Sequence, residues 1–298
     1  MKTIKTILIL ILVVGFGLAT WGFIGTKGDI TVIYEAFSRD DDFTLVQKTG
    51  NEAITEVYIE GSTHNIIFEE SLDSTYTLTY YESEYDYFSY SLVDGVLTLD
   101  NTSRQLFFIW GYKSQAVSLI KVVLPVNYNG LIVGETDTGS LEIDGFTQLP
   151  SLKLTTSTGD VTVSNCSIIN KLTAQTATGS VNLDTIQAQE IKASTSTGKI
   201  KMNVVSAPTI SGTSSTGTID LNDITSDDVT SSTSTGSVYI DLLGEEDDYR
   251  VDVSVSTGDI TYQGLKIASQ VLNPQGTKNI TAKTSTGNIV IVFKKNSL

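Results

Sequence analysis

The chain has 298 residues and a net charge of −15, with 19 Lys and Arg scattered along it. That excludes a nucleic-acid binder, which needs clustered cations against phosphate. One cysteine excludes an internal disulfide, and one histidine excludes a His-based triad or a multi-His zinc site.

In chain order, Lys2 and Lys5 come first. Residues 6–25, "TILILILVVGFGLATWGFIG", then carry no charge. About twenty apolar residues at 1.5 Å each span a hydrocarbon core. Trp21 and Phe23 stand near the far end, where interfacial aromatics belong. Residues 1–26 therefore read as a single-pass membrane anchor, with a cytoplasmic N-terminus and the bulk extracellular. The alternative is a cleaved signal peptide using "GLA" at 17–19. Either way the body is exported. Residues 27–52, acidic in "SRDDDF", read as a juxtamembrane spacer.

Residues 53–135 are β-patterned but uneven, dense in Tyr76, Tyr80, Tyr81, Tyr85, Tyr87 and Tyr90, and read as an irregular β capping region. Within it "RQLFFIWGYK" at 104–113 is the most apolar stretch of the exported part. One reading folds it over the exposed core of the first coil. The other makes Phe107, Phe108, Ile109 and Trp110 a contact for membrane or a partner.

From residue 136 to 298 one phrase returns: "TSTGDVTV", "TATGSVNL", "TSTGKIKM", "SSTGTIDL", "TSTGSVYI". Its glycines are Gly139, Gly159, Gly179, Gly198, Gly217, Gly236, Gly258 and Gly287, at steps of 20, 20, 19, 19, 19, 22 and 29. A fixed period near twenty, with strict apolar alternation after each Gly, predicts a regular β-solenoid. Each coil reads as two short parallel-stacking strands joined by tight turns. The Gly turns the chain from one sheet to the other. Val161 should stack on Val181, Ile200, Ile219 and Val238, and Leu154 on Ala174, Ala193 and Gly212. Thr156 and Thr158 share parity with Leu152 and Leu154, so both are expected inside, bonding main-chain groups. Inward threonines argue against an ice-binding array. Residues 263–280 read as a lateral loop or short helix. The final "NIVIVF" reads as an open, sticky edge blunted by Lys294 and Lys295, or as a docking edge for a second chain.

Chemistry is sparse. Cys166, among alternating apolar residues, reads as a buried inert thiol. His64 reads as a surface or half-buried side chain. "EEDD" at 245–248 reads as a solvated turn. No calcium-binding Gly-Asp ladder is present, so no metal and no cofactor is expected. The outward positions after the glycines (Ser140, Asp160, Ser180, Lys199, Thr218, Ser237, Asp259, Asn288) hold no stacked acidic pair. The reading is therefore a non-enzymatic surface scaffold. The alternative is a carbohydrate-active enzyme, which clustered carboxylates on adjacent coils would favour.

The reiterated T-S-T-G-[DSN]-[IV] turns, the "V-x-L-P" strand at residues 122–125 and the N-terminal apolar segment together resemble the bacterial putative-adhesin family, over about residues 54–294. The resemblance implies a β-solenoid at the cell surface and supplies no catalytic residues. Some relatives act in envelope stress and in resistance to cationic antimicrobial peptides. The expected partners are thus envelope proteins, cell-surface polymers or cationic peptides.

Overall fold

The structure is a computed structural model that describes residues 42–84, 86–102 and 117–294. The 6–25 segment and the 104–113 stretch with Phe107, Phe108, Ile109 and Trp110 lie outside the described residues. Among the described residues no helix is long and apolar enough to cross a membrane.

The strands before the repeat are β1 (Thr44–Gly50), β2 (Glu56–Gly61), β3 (Asn65–Glu70), β4 (Tyr76–Glu82), β5 (Phe88–Val93), β6 (Val96–Asn101) and β7 (Leu119–Leu124). The repeat supplies β8 (Leu131–Thr138), β9 (Leu141–Asp144), β10 (Leu149–Thr158), β11 (Val161–Thr178), β12 (Val181–Gln187), β13 (Glu190–Thr197), β14 (Ile200–Ser206), β15 (Thr209–Thr216), β16 (Ile219–Thr225), β17 (Asp228–Thr235) and β18 (Val238–Leu243). The chain finishes with β19 (Tyr249–Thr257), β20 (Ile260–Tyr262), β21 (Leu265–Ile267), β22 (Gln270–Leu272), β23 (Lys278–Thr286) and β24 (Ile289–Lys294). Of the segment read as a spacer, residues 44–50 form β1, paired antiparallel to β4.

The stack is a parallel β-solenoid with two long ladders. The residues that follow each turn glycine stack as read: Val161 on Val181, then Ile200, Ile219 and Val238. In the facing ladder Leu154 stacks on Ala174, Ala193 and Gly212. Small residues there bring the two sheets together. A Cβ on Gly212 would lie 3.2 Å from Ile219 Cγ2 across the core.

Each coil carries two strands, as read: β12 with β13, β14 with β15, β16 with β17, and the first strand of each has a left-handed kink. After Ser164 the chain bends at Asn165, φ 52°, and only then runs on to Cys166 and Ile168, both buried. Thr185, Val204 and Asp223 bend likewise at φ 56°, 53° and 52°. A left-handed residue reverses side-chain parity, so each strand keeps its apolar side inward past the corner. The bend disappears at β18, where the ladder skips Asp223 and pairs Ile224 with Leu242.

Both ends are interleaved. At the start, β2 lies between β6 and β8, and β3 between β7 and β9. The coil formed later in the chain is therefore the outer one. At the finish, β23 lies between β17 and β19, and β24 between β18 and β20. The last strand is thus no open edge. Ile289 and Ile291 face the core, while Val290 and Val292 stand half-buried on the outer side of the ladder. Residues 263–280 contain neither a helix nor a lateral loop alone: β21 and β22 pair antiparallel to β20 and β19 as three-residue edge strands. Such short antiparallel strands end parallel ladders without offering a long edge. The opposite end closes with β5 antiparallel to β6, and with β1 and β4 on β7.

Candidate binding surfaces

The turn glycines form one row. Gly139 N–H donates to Thr158 O, Gly159 to Thr178, Gly179 to Thr197, Gly198 to Thr216 and Gly217 to Thr235. The row then departs from chain order: Gly236 N–H donates to Thr286 O, and Gly287 N–H to Thr257 O. Gly287 therefore stands between Gly236 and Gly258. At Gly179, φ is +143° and an added Cβ would lie 2.0 Å from Gly159 O, so both conformation and contact demand glycine.

The hydroxyls around this row divide. The first Thr of the motif is buried and donates to the glycine carbonyl of the preceding coil: Thr156 to Gly139 at 2.9 Å, Thr176 to Gly159 at 2.9 Å, Thr195 to Gly179 at 3.0 Å. The second Thr is exposed, against expectation. Thr158 still pairs with Thr138 and Thr178, but it lies directly before the Gly159 corner and past the last inward position. The residue after the glycine is also engaged. Ser140 N–H donates to Asn65 Oδ1, Asp160 N–H to Ser140 Oγ and Ser180 N–H to Asp160 Oδ1. This explains the Ser, Asp or Asn there. These side chains accept from the next coil's backbone, which Lys199 does not; it pairs instead with Asp220 at 2.8 Å.

His64 is the clearest correction. It is fully buried, with Nε2 3.3 Å from Asp86 Oδ2 and its ring edge-on to Phe88. The pair is within ion-pair range, but neither ring nitrogen makes an aligned hydrogen bond among the described residues. His64 occupies the glycine slot of the β2–β3 coil: the Cβ that Gly139 lacks would lie 2.1 Å from His64 O, and Thr136 donates to that carbonyl at 3.1 Å. A signal was present, since Ser62-Thr63-His64-Asn65-Ile66 matches Ser285-Thr286-Gly287-Asn288-Ile289 in phase.

Cys166 is buried, and burial pushes its thiol up to about 11. Residues 246–248 form a single exposed 3-10 turn, Glu246–Asp248. Sequence reading missed a column on the outer face of the glycine-side ladder. Glu60 pairs with Asp100 on one side and Glu135 on the other, stacking three carboxylates on adjacent coils. Partial burial first, then the charges of Asp100, Glu135 and Asp137, hold the Glu60 carboxyl above its ordinary value. Lys153 balances the Glu135 end. Stacking in the order 100, 60, 135 exists only because the first coils are interleaved. The hollow over this column holds about 140 Å³.

A family model matches residues 54–292. The chain belongs to the Toastrack DUF4097 family. This Toastrack chain is similar to the crystal structure of a putative adhesin from Bacteroides fragilis, at 15% identity and a TM-score of 0.46, covering 84% of this chain and 97% of that one. It is also similar to a putative lipid binding protein from Parabacteroides distasonis, at 15% identity and 0.48, covering 86% and 99%. A third is a putative cell adhesion protein from Clostridium sporogenes, at 12% identity and 0.28, covering 84% and 100%. No curated protein matches the chain. The Toastrack assignment agrees with the resemblance carried by the T-S-T-G turns.

Proposed function

We propose that this Toastrack protein is a single-pass, extracytoplasmic scaffold that binds cationic ligands, peptides above all, on its outer sheet face and catalyses nothing. The observation that carries this reading is the Asp100–Glu60–Glu135 column on a chain of net charge −15. Like charges one strand spacing apart repel, and a bound cation relieves that repulsion. Partial burial first, and then this repulsion, raises the proton affinity of Glu60.

The enzymatic reading draws on the same column, since carboxylates about 5 Å apart suit a retaining glycosidase. The size of the hollow weighs against it. Ligand clefts run from about 300 Å³ upward, and a hollow of about 140 Å³ neither encloses a sugar nor excludes water from it.

The test titrates a lysine-rich decapeptide into the full-length protein in detergent. Binding should be saturable, weaken several-fold from about 0.01 M to about 0.15 M salt, and fall in Glu60→Gln. Equal binding by wild type and variant sinks the ligand assignment. Release of reducing ends from a polysaccharide by wild type but not Glu60→Gln favours the enzyme. For the anchor, the chain should stay with the membrane pellet after a carbonate wash. A mature N-terminus beyond residue 19 would mean that the segment is cleaved. A role in envelope stress predicts that pull-down partners change under cationic-peptide stress.

A further inference from the structure

We propose that the outer face of the other ladder carries a binding site for a neutral saccharide chain, centred on Tyr239. Tyr239 stands between Asp220 and Val290 on the neighbouring coils. Its ring is 40% exposed, and its hydroxyl has no partner among the described residues. Two residues on, Asp241 pairs with Val292, and Asn222 lines the same hollow although the register shifts there. Together these residues line a hollow of about 380 Å³, within the range of ligand clefts.

The carboxylates of this hollow are already paired with lysines, unlike Glu60 in the acidic column. Asp220 pairs with Lys199 at 2.8 Å. Asp241 and Asp223 share Lys294. A cationic ligand gains little where Lys199 and Lys294 already hold the carboxylates, and an anionic one meets those carboxylates. What remains uncommitted is amphipathic. It comprises an exposed phenol, the two flanking valines and the amide oxygen of Asn222, whose nitrogen already donates to Asn203. A pyranose has the matching chemistry, with an apolar C–H face for the ring of Tyr239 and equatorial hydroxyls for the Asn222 amide and the Tyr239 phenol. A β-linked chain also advances by nearly one coil spacing per sugar, so successive rings can follow successive coils.

This inference rests on the binding-scaffold reading but not on its cationic ligand, since the two sites lie on different ladders. The test titrates neutral cellohexaose and chitohexaose into the full-length protein in detergent, followed by saturation-transfer NMR. At least one should bind saturably. Tyr239→Ala should weaken it about tenfold, equivalent to about 1.4 kcal/mol, whereas Tyr239→Phe keeps the ring and most of the affinity. Glu60→Gln should leave sugar binding unchanged, and Tyr239→Ala should leave decapeptide binding unchanged. Tyr239 is exposed, so both variants should melt with wild type. Failure of both hexasaccharides to bind overturns the proposal, as does undiminished binding by Tyr239→Ala. A change of oligomeric state in Tyr239→Ala also overturns it, assigning the patch to a second copy of the chain.

Discussion

At the scale of single residues, each letter of the repeated turn has its own partner. The first Thr satisfies a glycine carbonyl below it, the Gly allows the close approach, and the following Ser, Asp or Asn receives an amide from the next coil. Gly179→Ala should therefore cost about 3 kcal/mol or more, read by urea denaturation, because a strained φ and a backbone clash coincide. Thr195→Val should cost about 1–2 kcal/mol by leaving Gly179 O without its hydroxyl. Ser231→Ala should be neutral or stabilising. Ser231 Oγ is buried without a hydrogen bond, in a column where Ala174, Ala193 and Ala282 already stand. Cys166 should resist iodoacetamide in the native protein and react once unfolded, since a buried thiol held near 11 yields little thiolate.

At the scale of elements, the left-handed bend decides how the first strand of each coil keeps its apolar side inward along its whole length. Asn165 and Asp223 tolerate that conformation, but Val204, 49% exposed at φ 53°, does not. Val204→Asn should raise stability by about 1 kcal/mol, seen as a higher urea midpoint with an unchanged slope. The bend was invisible in the sequence because no residue type marks it: Gly, Asn, Thr, Val and Asp fill the slot in turn at 145, 165, 185, 204 and 223. The glycine corner, by contrast, was legible because only one residue type fits it.

At the scale of the whole molecule, charge and interleaving matter most. Glu60 has a folded proton affinity above its ordinary one, so its stabilising effect is complete at low pH and is lost as pH rises through the raised value. Glu60→Gln should accordingly raise the melting temperature at pH 7 and leave it unchanged near pH 3. Interleaving makes the C-terminus structural. Removing residues 278–294 from an ordinary solenoid would shorten it by one coil. Here it removes the coil between β17–β18 and β19–β20, leaving two apolar ladder faces apart. That truncation should abolish the cooperative melt of the C-terminal coils and open residues 249–272 to limited proteolysis; an intact, protease-resistant 249–272 segment would contradict the interleaved order.

The all-β class, the coil period and the glycine row were determined by the sequence alone. A turn that permits only glycine, repeated near every twenty residues, leaves the same imprint in each copy. Coil order at the two ends, the burial of His64 and the acidic column were decided by the tertiary structure. Each arises where segments distant in the chain become neighbours, as when Glu60 falls between Asp100 and Glu135. A periodic pattern says which residues can stack. Ladder hydrogen bonds and a shared core choose which coil lies next to which.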